Sequence, residues 1–282
     1  MIKIIDSAIT KHGKFFFPRY DVGVGDSLRE YGEFSEAELT LMLSFINEGD
    51  TVLDIGSNIG AFTIPFAKKV GFKGKVYAFE PQSFIFRILK ENVKINKLSN
   101  IEIFNIGLGS SDYNIKLRDF DYGKKGCFGG IGLPKKYKNE FSATQLNTTS
   151  NVKVKKVDGL LNLKKCNFLK IDVETMELDV LKGAKKITSF HRPIIWYENH
   201  VGVKCKVNQY MLNQNYRLFW VVTNLFNKYN YFNSQKKIYG KQVNTYNVLA
   251  IPKEKVEKYD LSFLEEIINN NVNPTKVISF IK

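Results

Sequence analysis

The sequence predicts an α/β fold in which a mainly parallel sheet carries helices on both of its faces. Short apolar runs that are typical of buried strands alternate with longer segments whose apolar residues recur at helical spacing. The alternation occupies residues 51–109 and returns in residues 168–252, and this pattern is typical of a parallel sheet that is covered on both faces. A length of 282 residues with 44% hydrophobic residues is enough for one large domain with a sizeable core.

The first half of the chain begins with a mixed extension that leads into a helix. Ser35 and Glu38 form an S-x-x-E capping box, and apolar residues follow at helical spacing, so we expect a helix that Gly49 ends. The next elements that we expect are strands over 51–56, 75–81 and 100–109 and helices over 61–71 and 84–97.

Residues 110–166 interrupt the alternation with short β-like runs around a glycine-rich loop. Beyond them the expected elements are strands over 168–174, 193–199, 216–223 and 245–252, helices over 176–187 and 202–215, and a terminal helix over 257–271. We therefore divide the chain into an N-terminal extension with a helix that packs on the core, residues 1–48, and a main domain, residues 49–282. The β-rich insertion at about 110–166 belongs to the main domain.

The chain is strongly basic, with a formal net charge of +14 from 42 Lys and Arg against 28 Asp and Glu. Only six of these 42 are arginine, the residue suited to bidentate recognition of phosphates and guanines, so sequence-specific nucleic-acid binding is disfavoured. The scattered lysine pairs leave two interpretations open. They form either a solvated basic surface or a diffuse attraction for an anionic partner.

Cysteine use and hydropathy predict a soluble, cytoplasmic protein. None of the three cysteines forms a C-x-x-C pair, so neither a disulfide framework nor a zinc site is indicated. No apolar stretch approaches the ~18–20 residues of a membrane span, and the first residues lack the apolar centre of a signal peptide.

The turn after the first predicted strand of the alternation reads LDIGSNIGAF and indicates a nucleotide-like ligand. Gly56 and Gly60 permit a tight turn and close backbone approach, and Glu80 ends the next strand, where a carboxylate can accept hydrogen bonds from both ribose hydroxyls. Asp54 stands where a dinucleotide site needs glycine, and its charge would repel pyrophosphate but attract a ligand with an amino group and a sulfonium. S-adenosylmethionine is such a ligand.

Five segments resemble the FkbM family of S-adenosylmethionine-dependent methyltransferases, which have the Rossmann-like class I fold with a mainly parallel seven-stranded sheet. The resembling segments are VLDIGSNIGAFT (52–63), VYAFEP (76–81), IFNIGLGSSD (103–112), FLKIDVETMELDVLKGA (168–184) and RPIIWYE (192–198). The cofactor-binding residues that the motifs and the resemblance together imply are Asp54, Gly56, Ser57, Asn58, Gly60, Glu80, Pro81, Gly107, Leu108 and Asp172. Where the family usually has glycine after the Asp-Val-Glu run, this chain has Thr175, which we expect to narrow the space near the substrate.

The same resemblance implies a strand order that puts Asp54 and Glu198 on either side of Asp172, so that three carboxylates line one rim of the sheet. Such carboxylates could hold the cofactor's ammonium, act as general base, or bind a divalent cation, for which oxygen ligands suit Mg²⁺ or Mn²⁺. The candidate catalytic residues are Asp172, Glu174, Glu198 and His200. For Glu177 and Asp179, early in the next helix, a favourable interaction with the helix dipole is the competing explanation.

The leading hypothesis is an O-methyltransferase that acts on a hydroxyl of a sugar, a glycan or a related metabolite. We expect the insertion and residues 31–36 to wall the acceptor, with Tyr31, Phe34, Phe128 and Trp196 as aromatic candidates for stacking on a sugar face. An RNA methyltransferase, modifying ribose or base, and a non-catalytic cofactor-binding protein remain alternatives. Asp54 and the missing third glycine disfavour an NAD-dependent oxidoreductase.

Overall fold

A computed structural model describes residues 4–129, 143–199, 205–240, 243–268, 274 and 276–278. Within these residues the main sheet has eight strands. Their spatial order is β13 (Glu265–Glu266), β11 (Tyr216–Asn224), β12 (Asn244–Pro252), β10 (Ile194–Glu198), β9 (Phe168–Ile171), β3 (Thr51–Ile55), β4 (Lys75–Phe79) and β5 (Ile101–Phe104).

Five neighbouring strands of this sheet, from β10 through β9, β3 and β4 to β5, are parallel. β12 runs antiparallel to both β10 and β11. The prediction of a mainly parallel, class I sheet is confirmed, and the two-residue edge strand β13 is added to the seven expected strands. Because the parallel strands point the same way, their carboxyl ends meet at one edge of the sheet, and the residues that follow them are brought together there.

Helices cover both faces of the sheet. The α-helices are α1 (Val24–Glu30), α2 (Glu36–Ser44), α3 (Thr63–Val70), α4 (Ser83–Ile95), α5 (Val157–Leu160), α6 (Glu177–Gly183), α7 (Lys185–His191) and α8 (Lys206–Asn213), and a 3₁₀ helix spans Lys253–Lys258. Alternate strand residues face two separate apolar clusters: Leu53 and Leu169 belong to one, and Val52 and Phe168 to the other. This alternation is why the central strands read as continuous apolar runs. No helix in the described ranges combines the length and apolarity needed to cross a bilayer.

The N-terminal segment is fastened to the core through a hairpin of β1 (Ile5–Thr10) and β2 (Gly13–Pro18). Asn92 of α4 is fully buried and accepts from Phe16 N at 2.6 Å, while its Nδ2 donates to Phe16 O at 2.9 Å and to Ile59 O at 2.8 Å. These bonds hold the hairpin against the helix that follows β4.

The insertion supplies β7 (Tyr113–Phe120) and β8 (Gln145–Lys155), which form a three-stranded sheet with β6 (Gly107–Leu108), in the order β6, β8, β7. Of the four glycines in its loop, Gly126 and Gly129 are described, whereas Gly130 and Gly132 lie outside the described residues. The predicted division of the chain near residue 48 stays a prediction.

The boundaries of the first helix differ from those predicted. Ser35 precedes α2 but adopts a left-handed backbone with φ of 44°, and its side chain makes no capping hydrogen bond. The predicted capping box is therefore wrong. The helix ends at Ser44, and Gly49 lies in the turn that follows it.

Two predicted elements are each divided in the structure. Residues 100–109 give β5 and β6, which belong to different sheets. Residues 176–187 give α6 and the start of α7, which meet at Ala184. Asp158 causes the second division, because its carboxylate accepts from the backbone N–H groups of Lys186 at 2.7 Å and Ile187 at 3.0 Å and so starts a new helix.

The predicted terminal helix is wrong within the described residues. Leu261, Leu264 and Ile267 are buried at a spacing of three, but the chain that carries them is extended or turned and ends in β13. The backbone N–H of Ile267 donates to Leu218 O at 2.8 Å, so pairing with the sheet edge replaces helical hydrogen bonds there.

Candidate active site

A cavity of about 290 Å³ lies at the carboxyl edge of the parallel strands. Its lining includes residues at or just after the ends of β3, β4, β9 and β10, together with β6 and segments from the N-terminal extension and the β11–β12 connection. The predicted cofactor-binding residues other than Asp54 and Gly60 line this one cavity, as do Asp172, Glu174 and Glu198. His200 lies outside the described residues.

The glycine turn after β3 needs glycine at position 56. Gly56 has φ of +81°, and a Cβ placed there would lie 1.8 Å from the carbonyl oxygen of Asp172. The backbone N–H of Asp172 also donates to Ile55 O at 3.0 Å. The turn and the end of β9 are therefore in direct backbone contact, which no residue with a side chain would allow.

Gly60, at the other end of the turn, serves packing on a helix. It has φ of +91°, and a Cβ there would lie 2.8 Å from Leu89 Cδ1 of α4. Gly60 thus lets α4 approach the turn closely, and it does not line the cavity.

Glu80 presents a buried carboxylate at the end of β4. Oε2 accepts from the backbone N–H of Asn58 at 3.0 Å, and Oε1 accepts from that of Gln82 at 2.8 Å. Burial, which these hydrogen bonds only partly offset, raises the pKa of Glu80 to about 7. Its two oxygens are thereby oriented by the glycine turn and by the start of α4.

Lys170, which sequence reasoning did not single out, is a buried cation beneath the cavity, with its side chain 2% exposed. Nζ lies 3.3 Å from Asp54 Oδ1 and 3.3 Å from Asp172 Oδ2, and it donates to Gly56 O at 3.1 Å. Burial alone would lower the pKa of Lys170, but the carboxylates of Asp172 and Asp54 raise it above its ordinary value. Lys170 therefore remains charged and joins the ends of β3 and β9 to the glycine turn.

Asp54 does not lie on the rim with Asp172 and Glu198, so that part of the prediction is wrong. Its side chain is fully buried, accepts from Thr63 Oγ1 at 2.6 Å and faces Lys170. The reason is the pleat: Asp54 is still inside β3, one residue before the strand ends. Its direct contact with a cofactor stays a prediction, since the cavity lining does not include it.

The carboxylates that do meet at the rim are those of Asp172, Glu174 and Glu198. One oxygen of each lies within 4.8 Å of the other two. Burial, with the nearby charges of Asp172 and Glu177, raises the pKa of Glu174 to about 8. Burial, with the neighbouring carboxylates, also raises the pKa of Glu198 well above its ordinary value. Burial and the neighbouring carboxylates thus disfavour the ionised forms of Glu174 and Glu198, and a bound cation would favour them.

The loop after β9 has an unusual backbone. Glu174 and Thr175 have φ of 50° and 80°, in the left-handed region, and the Oε1 of Glu177 accepts from the N–H groups of Val173 at 3.4 Å and Thr175 at 3.2 Å. Glu177 therefore fixes this loop. Asp179 is exposed on α6.

The expectation that Thr175 narrows the substrate space is wrong. Its side chain is exposed and does not line the cavity. The left-handed backbone explains instead why glycine suits this position, since a β-branched residue there is strained.

Part of the cavity wall comes from segments that the sequence did not identify. Glu38 of α2, Tyr239, and Thr245 and Asn247 of β12 line it. Of the four aromatic candidates, only Phe34 lines the cavity, because Tyr31, Phe128 and Trp196 are buried elsewhere in the structure. The sequence assigned Glu38 to a capping box, and because an acidic residue in a first helical turn is ordinary, nothing marked it as a site residue. Lys170 could have been found as the single charged residue of an otherwise apolar strand.

The sheet order, the glycine turn after β3 and the carboxylate at the end of β4 together define a class I methyltransferase fold. Residues 54–218, more than half of the chain, match the family model described as the methyltransferase FkbM domain. The chain belongs to this family, as the motifs predicted.

Two curated relatives and one solved structure illustrate the similarity. Methyltransferase 1 of Beauveria bassiana is 29% identical over 143 residues, 47% of this chain and 57% of that protein. Hexuronic acid methyltransferase AglP of Haloferax volcanii is 31% identical over 174 residues, 60% of this chain and 63% of that protein. The crystal structure of methyltransferase FkbM from Methylobacillus flagellatus covers 76% of this chain and 50% of that chain, with a TM-score of 0.46 and 14% identity. The chain thus spans less than two thirds of the length of each of the three.

Replacement of Lys170 by methionine should lower the free energy of unfolding by about 3–5 kcal/mol, because it leaves the buried charge of Asp54 without its cation. Urea denaturation measures this loss. The double variant Lys170→Met/Asp54→Asn should recover part of it, since the stranded charge is then removed. Stability near that of the wild type in the single variant would contradict the assigned role of Lys170.

Replacement of Thr175 by glycine should raise the free energy of unfolding by roughly 1 kcal/mol, because relief of left-handed strain exceeds the added entropy of the unfolded chain. The control is Thr149→Gly in the extended, exposed part of β8, where the same change should destabilise. Equal losses in both variants would show that the loop backbone is not strained.

Proposed function

We propose that this protein is an S-adenosylmethionine-dependent O-methyltransferase whose acceptor is a hydroxyl of a sugar, a glycan or a related metabolite. The observation that carries the proposal is the meeting of the glycine turn, Glu80 and the rim carboxylates in one cavity. Family membership supports methyl transfer. The Haloferax volcanii relative is named a hexuronic acid methyltransferase, and this supports a sugar as the acceptor.

The residues of the cavity fit the cofactor. Gly56 lines the cavity at a turn that backbone contact with Asp172 holds in place, and Glu80 offers a buried carboxylate for the ribose hydroxyls. Pro81, Gly107 and Leu108 would adjoin them as further cofactor contacts. S-adenosylmethionine, when bound, supplies a methyl group on a positively charged sulfur, which suits a cavity with acidic walls.

Asp172 is the residue proposed to receive the proton of the acceptor hydroxyl. Its side chain is 42% exposed and lines the cavity, so an acceptor can reach it. Lys170 at 3.3 Å and the backbone bond to Ile55 fix its orientation. Glu174 and Glu198 would then position the acceptor through hydrogen bonds, and correct positioning is the main source of rate in an in-line transfer.

Binding of the cofactor can be tested without an acceptor. S-adenosylhomocysteine, the demethylated product, should raise the melting temperature while NAD should not, and Glu80→Ala should abolish the shift. Because the pKa of Glu80 is about 7 and its ionised form accepts hydrogen bonds, affinity should fall as pH drops below 7, by up to about tenfold per pH unit. Glu80→Gln should lose this dependence. A pH-independent affinity in the wild type would remove Glu80 from the site.

Transfer itself is tested with labelled S-adenosylmethionine and a panel of sugars and glycans. Asp172→Asn should lower turnover by about 10²–10⁴-fold, the range for a general base, while binding of S-adenosylhomocysteine persists. Turnover that survives in this variant would refute the base assignment. Loss of turnover in EDTA, restored by Mg²⁺ or Mn²⁺, would assign the rim carboxylates to a cation instead.

A further inference from the structure

We propose that Glu38, held by Thr245 and Asn247, is the acceptor-recognition wall of the cavity, and that it selects an uncharged, hydroxyl-rich sugar over one that carries a carboxylate. This inference rests on the proposed function and names the substrate class of the same site.

Glu38 lines the same cavity as the rim carboxylates. It projects from the first turn of α2 and is 5% exposed. Asn247 of β12 is the cross-strand neighbour of Glu198, so the strand that contacts Glu38 also adjoins the rim. The negative charges of Asp172 and Glu38 are close enough to influence each other.

The carboxylate of Glu38 is held in one orientation. Asn247 Nδ2 donates to Oε1 at 2.8 Å, Thr223 Oγ1 donates to it at 3.3 Å, and the hydroxyl of Thr245 donates to the same oxygen. All three of these donors converge on Oε1. A carboxylate oriented in this way presents fixed acceptors for hydroxyl groups. Because its side chain is already ordered, binding costs it little further entropy.

The charge of the cavity argues against an anionic acceptor. Glu38, Glu80, Asp172, Glu174 and Glu198 all line it, and among the described lining residues Lys170 is the single cation. Lys170 is already engaged by two carboxylates. A uronate or phosphate would find no unengaged cation among these lining residues and would be repelled by the carboxylates that are ionised, whereas sugar hydroxyls can donate to the carboxyl groups. An attraction for anions, which the net charge suggested, would therefore act at the outer surface.

The wall also lies outside the segment that matches the family. Glu38 precedes residue 54, and Thr245 and Asn247 follow residue 218, whereas Glu80 and the rim carboxylates lie within the match. The flanks of the chain thus supply a part of the site that the family model does not cover. This is the expected location of a residue that sets acceptor choice for one member.

The experiment compares Glu38→Gln with Glu36→Gln. Glu36 lies on the same helix and is also buried, but it pairs with Lys11 at 2.9 Å and His12 at 2.8 Å and does not line the cavity. The substrates are matched pairs of a hexose methyl glycoside and its uronide, which differ only at C6. Each protein is assayed for labelled methyl transfer, for binding of S-adenosylhomocysteine and for stability in urea.

Wild type should prefer the uncharged member of a pair by at least tenfold in kcat/KM. Glu38→Gln should raise KM for that member by about tenfold and narrow the preference, with binding of S-adenosylhomocysteine unchanged. Glu36→Gln should leave both the KM and the preference as in the wild type. Thr245→Val, which removes one donor to Glu38, should also raise KM, and it replaces Glu38→Gln in the experiment if that variant does not fold.

Three results would overturn the inference: preference for the uronide, an unchanged KM in both cavity variants, or binding of S-adenosylhomocysteine with no transfer to any sugar. Failure to bind S-adenosylhomocysteine at all would instead refute the proposed function.

Discussion

The site depends on one buried positive charge. Lys170 stands in the middle of a fully buried strand, and a cation there is stable only because Asp54 and Asp172 lie on either side of it and Gly56 offers a carbonyl oxygen. The face of the Phe62 ring, 5.2 Å from Nζ, completes its surroundings. The two strand ends and the glycine turn therefore have one relative placement, and the cavity takes its shape from that placement.

Asp54 and Asp172 have different roles in this arrangement, although both contact Lys170. Asp54 is buried inside β3, where it accepts a hydrogen bond from the hydroxyl of Thr63 and compensates the charge of Lys170 below the turn. Asp172 emerges beyond β9 and reaches the cavity. Around Asp172 the carboxylates outnumber the cations, which is costly to the folded protein at neutral pH and is typical of a site kept for binding or chemistry.

The sequence predicted what local pattern and strand order determine. The apolar runs within 51–56, 75–81 and 168–174 predicted buried parallel strands, whose carboxyl ends placed Gly56, Glu80 and Asp172 at one edge. It failed where a distant segment decides the outcome. Leu261, Leu264 and Ile267 have a spacing that suits a helix, yet the open edge of β11 draws their backbone into pairing. Glu38 could not be predicted as a site residue, because its orientation depends on hydrogen bonds from Thr245 and Asn247, which lie more than 200 residues away.

The short strand β13 has a consequence for behaviour in solution. β11 is nine residues long, largely apolar and last in the sheet apart from β13. An uncovered edge of that kind is a template on which other chains can add strands and aggregate. Glu265 and Glu266 pair with its centre, Arg217 forms a bidentate ion pair with Glu266, and Ile278 N–H donates to Val222 O further along. The C-terminal segment thus covers this edge and prevents a strand of another molecule from pairing with β11.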